Sequence, residues 1–117
     1  GDAGAAPDAF DYAAALEGID PEIVDVIAPL FVEACPDDLA RLRQGLADGD
    51  TVLARRQAHT LRGLAGNFGA EPVVRHARTI EEALHRGDAA CAREAVPALE
   101  GALQTLTEVL RERGQVR

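Results

Sequence analysis

The stretch Ala58-His59-Thr60-Leu61-Arg62-Gly63-Leu64-Ala65-Gly66-Asn67-Phe68-Gly69-Ala70 decides how this chain folds. At about 100° per residue, Ala54, Ala58, Leu61, Leu64, Ala65 and Phe68 fall on one side of a helical wheel, opposite His59, and that side reads as a core stripe. His59 is therefore expected to face water. Within about 60° of it on the wheel lie Val52, Arg55, Arg56, Arg62, Gly63 and Gly66. Each of the two glycines costs a helix roughly 1 kcal/mol relative to alanine, so this face asks for a reason beyond helix formation. Gln57 falls near the core side, and nothing in the pattern explains it.

Working outward, residues 51–67 and 71–86 both carry helical periodicity, with Phe68-Gly69-Ala70 between them and Pro72 tolerated in the first turn of the second. So short a connection makes the two helices antiparallel neighbours. Gly49-Asp50 supplies a left-handed stop followed by a new N-cap, and Gly87-Asp88 repeats the device. Before the first of these turns, Asp20-Pro21 with Glu22 predicts a helix start. Ile23, Ile27, Leu30, Phe31 and Ala34 keep the three-and-four spacing, which Leu39, Leu42 and Leu46 continue. Pro29 and Pro36 interrupt the donors, so residues 21–47 are expected to form one helix kinked near Pro36, or two that abut there.

After Gly87-Asp88, Val96, Leu99, Leu103, Leu106 and Leu110 form a stripe over residues 89–113, with Pro97 suggesting a bend and Gly114 the end. Residues 8–17 predict a short extra helix that Gly18 ends. No stretch alternates with period two. The fold class is thus all-α, an antiparallel four-helix bundle with a short extra N-terminal helix. Residues 8–117 form its one domain, and residues 1–7 serve as linker or non-native sequence.

Composition agrees with this and narrows the chemistry. The 117 residues suffice for one core, 47% are hydrophobic and 27% charged, and the aromatic residues are only Phe10, Tyr12, Phe31 and Phe68. A formal charge of −8 argues against general nucleic-acid binding, which needs surplus Lys and Arg to neutralise phosphates. Cys35 and Cys91 have no metal spacing and are expected to be reduced, largely buried thiols. No two of the three histidines have the i, i+4 spacing of a helical metal site, so no metal is expected. No apolar run is long enough to span a membrane, and no charged-then-apolar leader is present. The chain lacks methionine, so Gly1 is not an unprocessed start and a longer parent protein is expected.

The face around His59 suits one kind of work. An exposed imidazole offers a nucleophilic nitrogen near pH 7. Arg62, one turn on, can give charge-assisted hydrogen bonds to phosphate oxygens, and the missing side chains at Gly63 and Gly66 let another protein approach. His76 and His85 have no such surroundings and read as ordinary solvated residues.

On these residues the stretch resembles the histidine-containing phosphotransfer (HPt) domains, whose motif is His, any residue, an aliphatic, Lys or Arg, Gly, then small residues closing with an apolar residue, Gly and often Ala. His59, Leu61, Arg62, Gly63, Ala65, Phe68, Gly69 and Ala70 match it, and weaker similarity runs from about Phe31 to Leu110. The resemblance implies a four-helix bundle that relays phosphoryl groups between receiver-domain aspartates. It makes His59 the acceptor and gives the partner access at Gly63. It also sets Arg62 where Lys is more usual, trading a mobile point cation for a planar fork. Glu81 lies where several family members have a Gln that bonds the ring nitrogen not phosphorylated. Folding 51–67 back over 71–86 sets His59 opposite residues near 79, and a carboxylate accepting from Nδ1 would leave Nε2 free. Glu81 could instead pair with Arg78 or Arg86.

No glycine-rich nucleotide loop or ATP-binding segment is visible, so the chain is expected to be a carrier and not a kinase. It is expected to hold no cofactor, the receiver bringing Mg²⁺. Response-regulator receiver domains are the expected partners, with a hybrid histidine kinase a candidate for the parent chain. A monomer in the cytoplasm, free or as part of a membrane-anchored sensor kinase, is expected, without nucleic-acid or membrane contact of its own. Val52, Arg55, Arg56, Gly63 and Gly66 form the expected partner-binding surface. Two other readings stay open: the phosphotransfer module of a chemotaxis-type kinase, and a helical adaptor bundle in which His59 is incidental.

Overall fold

Four aspartates open four of the helices. Asp11, Asp20, Asp50 and Asp88 accept hydrogen bonds from the backbone N–H groups of Ala14, Glu22, Leu53 and Cys91 at 2.9, 2.9, 3.0 and 3.0 Å, each satisfying a donor that has no partner inside its helix. The computed structural model describes residues 10–116. Over that span the order is α1 (Tyr12–Glu17), α2 (Pro21–Asp48), α3 (Thr51–Gly66), α4 (Glu71–His85) and α5 (Ala89–Val116). The described residues contain no strand.

The turns between α2 and α3 and between α4 and α5 use the expected device. Gly49 and Gly87 have φ of +73° and +81°, the left-handed region that a side chain disfavours. With such short connections α2, α3, α4 and α5 run antiparallel in sequence order and close into a bundle, α2 packing on α3, α3 on α4, α4 on α5 and α5 back on α2. At about 1.5 Å per residue, the 28-residue α2 and α5 reach well past the 16-residue α3 and 15-residue α4. The short α1 packs on α5. Ala15 and Ile19 lie over Gly69 at the α3–α4 turn, so α1 caps the shorter hairpin.

The core runs along the inner faces. Leu61 and Phe68 from α3 and its turn, Val73 and Ile80 from α4, and Leu99, Leu103 and Leu106 from α5 are all buried. Phe31 of α2 meets Phe68 edge-on with ring centroids 5.3 Å apart. Gly45 lets α2 and α3 approach closely: a Cβ there would lie 3.0 Å from the Ala54 nitrogen. Cys35 is buried and Cys91 half-buried, both free. Burial first, and Asp38 second, push the Cys35 thiol up to about 11 against the opposing pull of Arg111.

Some expectations are resolved and others need correction. Of the two forms expected for residues 21–47, the structure takes the single helix, Pro21–Asp48. Pro29 and Pro36 both sit on its exposed side, where water can satisfy the carbonyls that lose a donor. The core face of α2 is also rotated from the expected stripe. Val24, Ala28, Phe31, Cys35, Leu42 and Leu46 are buried, whereas Ile23 and Leu30 are 46% and 65% exposed. Both sets keep a three-and-four spacing, and the wheel favours the bulkier one although packing against α3 and α5 selects the other. The inner register also carries Asp38, which is buried. The first helix begins at Tyr12, because Asp11 is its cap; Asp8 and Ala9 lie outside the described residues. Helix α5 continues through Gly114 to Val116, since Gly114 keeps an ordinary negative φ. Leu64 is half-buried, not part of the inner core.

Candidate functional site

His59 stands in the middle of α3 with its side chain 68% exposed. Its place follows from the stripe beneath it: Ala54, Ala58, Leu61 and Ala65 are buried, which turns the intervening position outward. Helix α4 is anchored alongside by Val73, Ala77, Ile80 and Ala83, and that register presents Glu81 to the same edge. Glu81 Oε1 lies 2.9 Å from His59 Nδ1. Arg62, one turn after the histidine, donates from Nε to Glu81 Oε2, and one terminal nitrogen of its guanidinium lies 3.0 Å from the same Nδ1. The structure thus brings His59, Arg62 and Glu81 into one cluster. Glu81 is the most enclosed member, its side chain 18% exposed.

A ring nitrogen with one hydrogen cannot donate to Glu81 and accept from Arg62 at once. A carboxylate has no proton to give, while Arg62 already has an acceptor in Glu81 Oε2. The arrangement therefore fits Nδ1–H donating to Glu81, with Arg62 fixing the carboxylate from its other oxygen. That tautomer leaves the lone pair on Nε2, at the far edge of an exposed ring. Such a group is an oriented nucleophile.

The other residues of the expected face are where the wheel puts them. Arg55 and Arg56 are exposed, Val52 is 64% exposed, and with His59 and Glu81 they line a depression of about 280 Å³. Gly63 and Gly66 are exposed, and a Cβ built on either meets nothing within 4 Å. Packing within the chain therefore requires neither glycine, although both tax the helix. Gln57 is half-buried. Arg78 and Arg86, the other candidates for pairing with Glu81, do not hold it: Arg86 instead points a nitrogen at Cys91 Sγ, 3.8 Å away.

One neighbouring feature escaped the sequence reading. Arg78, Glu82 and His85 of α4 join Arg55, Arg62, Glu81 and Arg86 around a second groove of about 490 Å³ on the same side. The spacing 78, 82, 85 on one helix was the available signal. A further cavity, about 580 Å³, lies between α2 and α5, where Val24, Ala28, Val32 and Leu110 give it an apolar lining. No group of three or more His, Cys, Asp or Glu side chains that could hold a metal occurs among the described residues. No helix among them is long and apolar enough to cross a membrane.

A family model described as Hpt domain matches residues 27–111. Comparison with curated proteins and with solved structures gave no match. The matched span covers most of α2, all of α3 and α4 and most of α5, so it contains the whole cluster at His59. Bundle, exposed histidine and family match agree: the chain belongs to the Hpt domains, phosphotransfer carriers of two-component signalling that act with receiver domains and are not themselves kinases.

Proposed function

We propose that this domain accepts a phosphoryl group on His59 Nε2 from a receiver-domain aspartate and passes it to the aspartate of a second receiver. The observation that carries this reading is the 2.9 Å contact between His59 Nδ1 and Glu81 beneath an exposed ring. In the accepting step the Nε2 lone pair attacks phosphorus in line, the bond from phosphorus to the aspartyl oxygen breaks, and the carboxylate leaves with its electron pair. The imidazole becomes cationic with Nδ1 still protonated, and Glu81 accepts that proton's hydrogen bond and opposes the new charge. The second step is the reverse, with another aspartate as nucleophile.

Arg62 supports Glu81, while Gly63 and Gly66 give the receiver's active site room to reach the ring. Val52, Arg55 and Arg56 form the rim that the partner covers. This chain brings a placed nucleophile and a complementary surface; the receiver is expected to bring Mg²⁺ and most of the transition-state stabilisation. The experiment is incubation with radiolabelled phospho-receivers. Label should pass to the wild type and not to His59→Gln, and failure of the wild type to take label from a broad panel of receivers would refute the reading.

A further inference from the structure

Arg62 is badly placed to hold an anion on Nε2. Its Nε donates to Glu81 and its terminal nitrogen lies 3.0 Å from Nδ1, so its guanidinium sits at the edge of the ring away from Nε2. The helix itself favours this, since each Cα–Cβ bond tilts toward the N-terminus. Arg62 therefore leans back onto His59, and His59 leans over the preceding turn, which carries Arg55 and Arg56. These two, with Val52 and Glu81, line the depression that His59 borders, and Arg62 does not.

Both arginines are also unengaged. Arg41, Arg43, Arg62, Arg75 and Arg113 each face a carboxylate, whereas no hydrogen bond or ion pair holds Arg55, Arg56, Arg78 or Arg111 among the described residues, and of these four only Arg55 and Arg56 line the depression that His59 borders. In a chain with 20 acidic residues against 12 Lys and Arg, two free guanidinium groups that are adjacent in sequence and line one depression with His59 are conspicuous.

We propose that Arg55 and Arg56, not Arg62, hold the phosphoryl group on His59 Nε2, and that Arg62 is a positioning residue acting through Glu81. This rests on His59 being the acceptor, and it replaces a rim role for the two arginines with direct contact to the transferred group. Two cations one turn before the histidine favour the dianionic phosphoryl group and share its charge as it arrives.

Phosphoramidate is the probe, because it is small enough to need no docking surface. Nε2 attacks its phosphorus, the donor's P–N bond breaks, and the nitrogen leaves as ammonia with a proton from water. Loaded wild type, R55Q/R56Q and R62Q are then titrated by ³¹P NMR, with circular dichroism to confirm that these exposed or half-exposed substitutions keep the helices. Losing Arg55 and Arg56 should move the phosphoryl titration upward by about half a pH unit. R62Q should move it less than half as far, and should instead raise the proportion of Nδ1-phosphorylated isomer. An unmoved titration in R55Q/R56Q, or a larger movement in R62Q, overturns the assignment while the acceptor reading stands. Absence of loading in the wild type, or equal loading of His59→Gln, overturns both.

Discussion

Glu81 of α4 meets the Nδ1 edge of His59 of α3 at 2.9 Å, across 22 residues of sequence. Two helices thus fix one imidazole, and the part that sets its orientation lies on the element that does not carry it. Replacing Glu81 separates acceptor from charge. Glu81→Gln keeps an oxygen for Nδ1–H and should retain transfer within a few fold, whereas Glu81→Ala loses the acceptor and should slow transfer by up to about a hundredfold. Rapid-quench measurement of label transfer from a phospho-receiver checks both.

The pairing of Arg62 with Glu81 makes their substitutions interdependent. Arg62→Ala leaves a mostly enclosed carboxylate without its cation and should cost about 1 kcal/mol, a modest figure because Arg62 is 31% exposed. Adding Glu81→Gln removes the stranded charge and should restore much of that loss. Urea unfolding of the two single variants and the double variant measures the coupling.

Two helical glycines should respond in opposite directions to the same substitution. Gly63→Ala meets open space and should stabilise the fold by about 0.5–1 kcal/mol. Gly45→Ala drives a methyl group to 3.0 Å from the Ala54 backbone nitrogen, and that overlap should outweigh the helical gain and cost about 1–2 kcal/mol net. Thermal unfolding of each variant decides. The bulkier Gly63→Leu should keep the fold and block transfer from a receiver.

Asp38 should make the domain less stable as pH rises through the weakly acidic range. Burial, only partly offset by Arg41 at 3.6 Å and aggravated by Asp37, raises its carboxyl above the ordinary value. The folded state then binds the proton more tightly than the unfolded chain, so stability falls between the unfolded value, near 3.8, and the raised folded one, and stays lower above it. Asp38→Asn should therefore stabilise the protein at neutral pH and give no gain in strong acid. Denaturant titrations at several pH values test the sign.

The turns and caps were legible because their signals are local. Gly49-Asp50, Gly87-Asp88 and Asp20-Pro21 each specify a conformation within a few residues. The face of α2 was not: Ile23 and Leu30 compete with Val24 and Ala28 for the inner position, and only packing against other helices settles that. The surroundings of His59 on its own helix were legible for the same local reason. The partner of Glu81 stayed open because His59, Arg78 and Arg86 were all within reach, and side-chain geometry across two helices selects His59 and adds Arg62, which the sequence reading had not weighed as its partner. Asp38 shows the opposite limit, a charged residue at a core register that no hydropathy pattern anticipates.

Because Nδ1 is occupied from the bundle side, the imidazole has one open edge. On the proposed reading, a donor and an acceptor that both need Nε2 would compete for it and could not be present together. Traffic through such a ring would be a double displacement, in which the first partner departs before the second arrives. Throughput then depends on how quickly a partner leaves as much as on the chemical step, and a face relieved of side chains at Gly63 and Gly66 admits each visitor without adding contacts that would detain it.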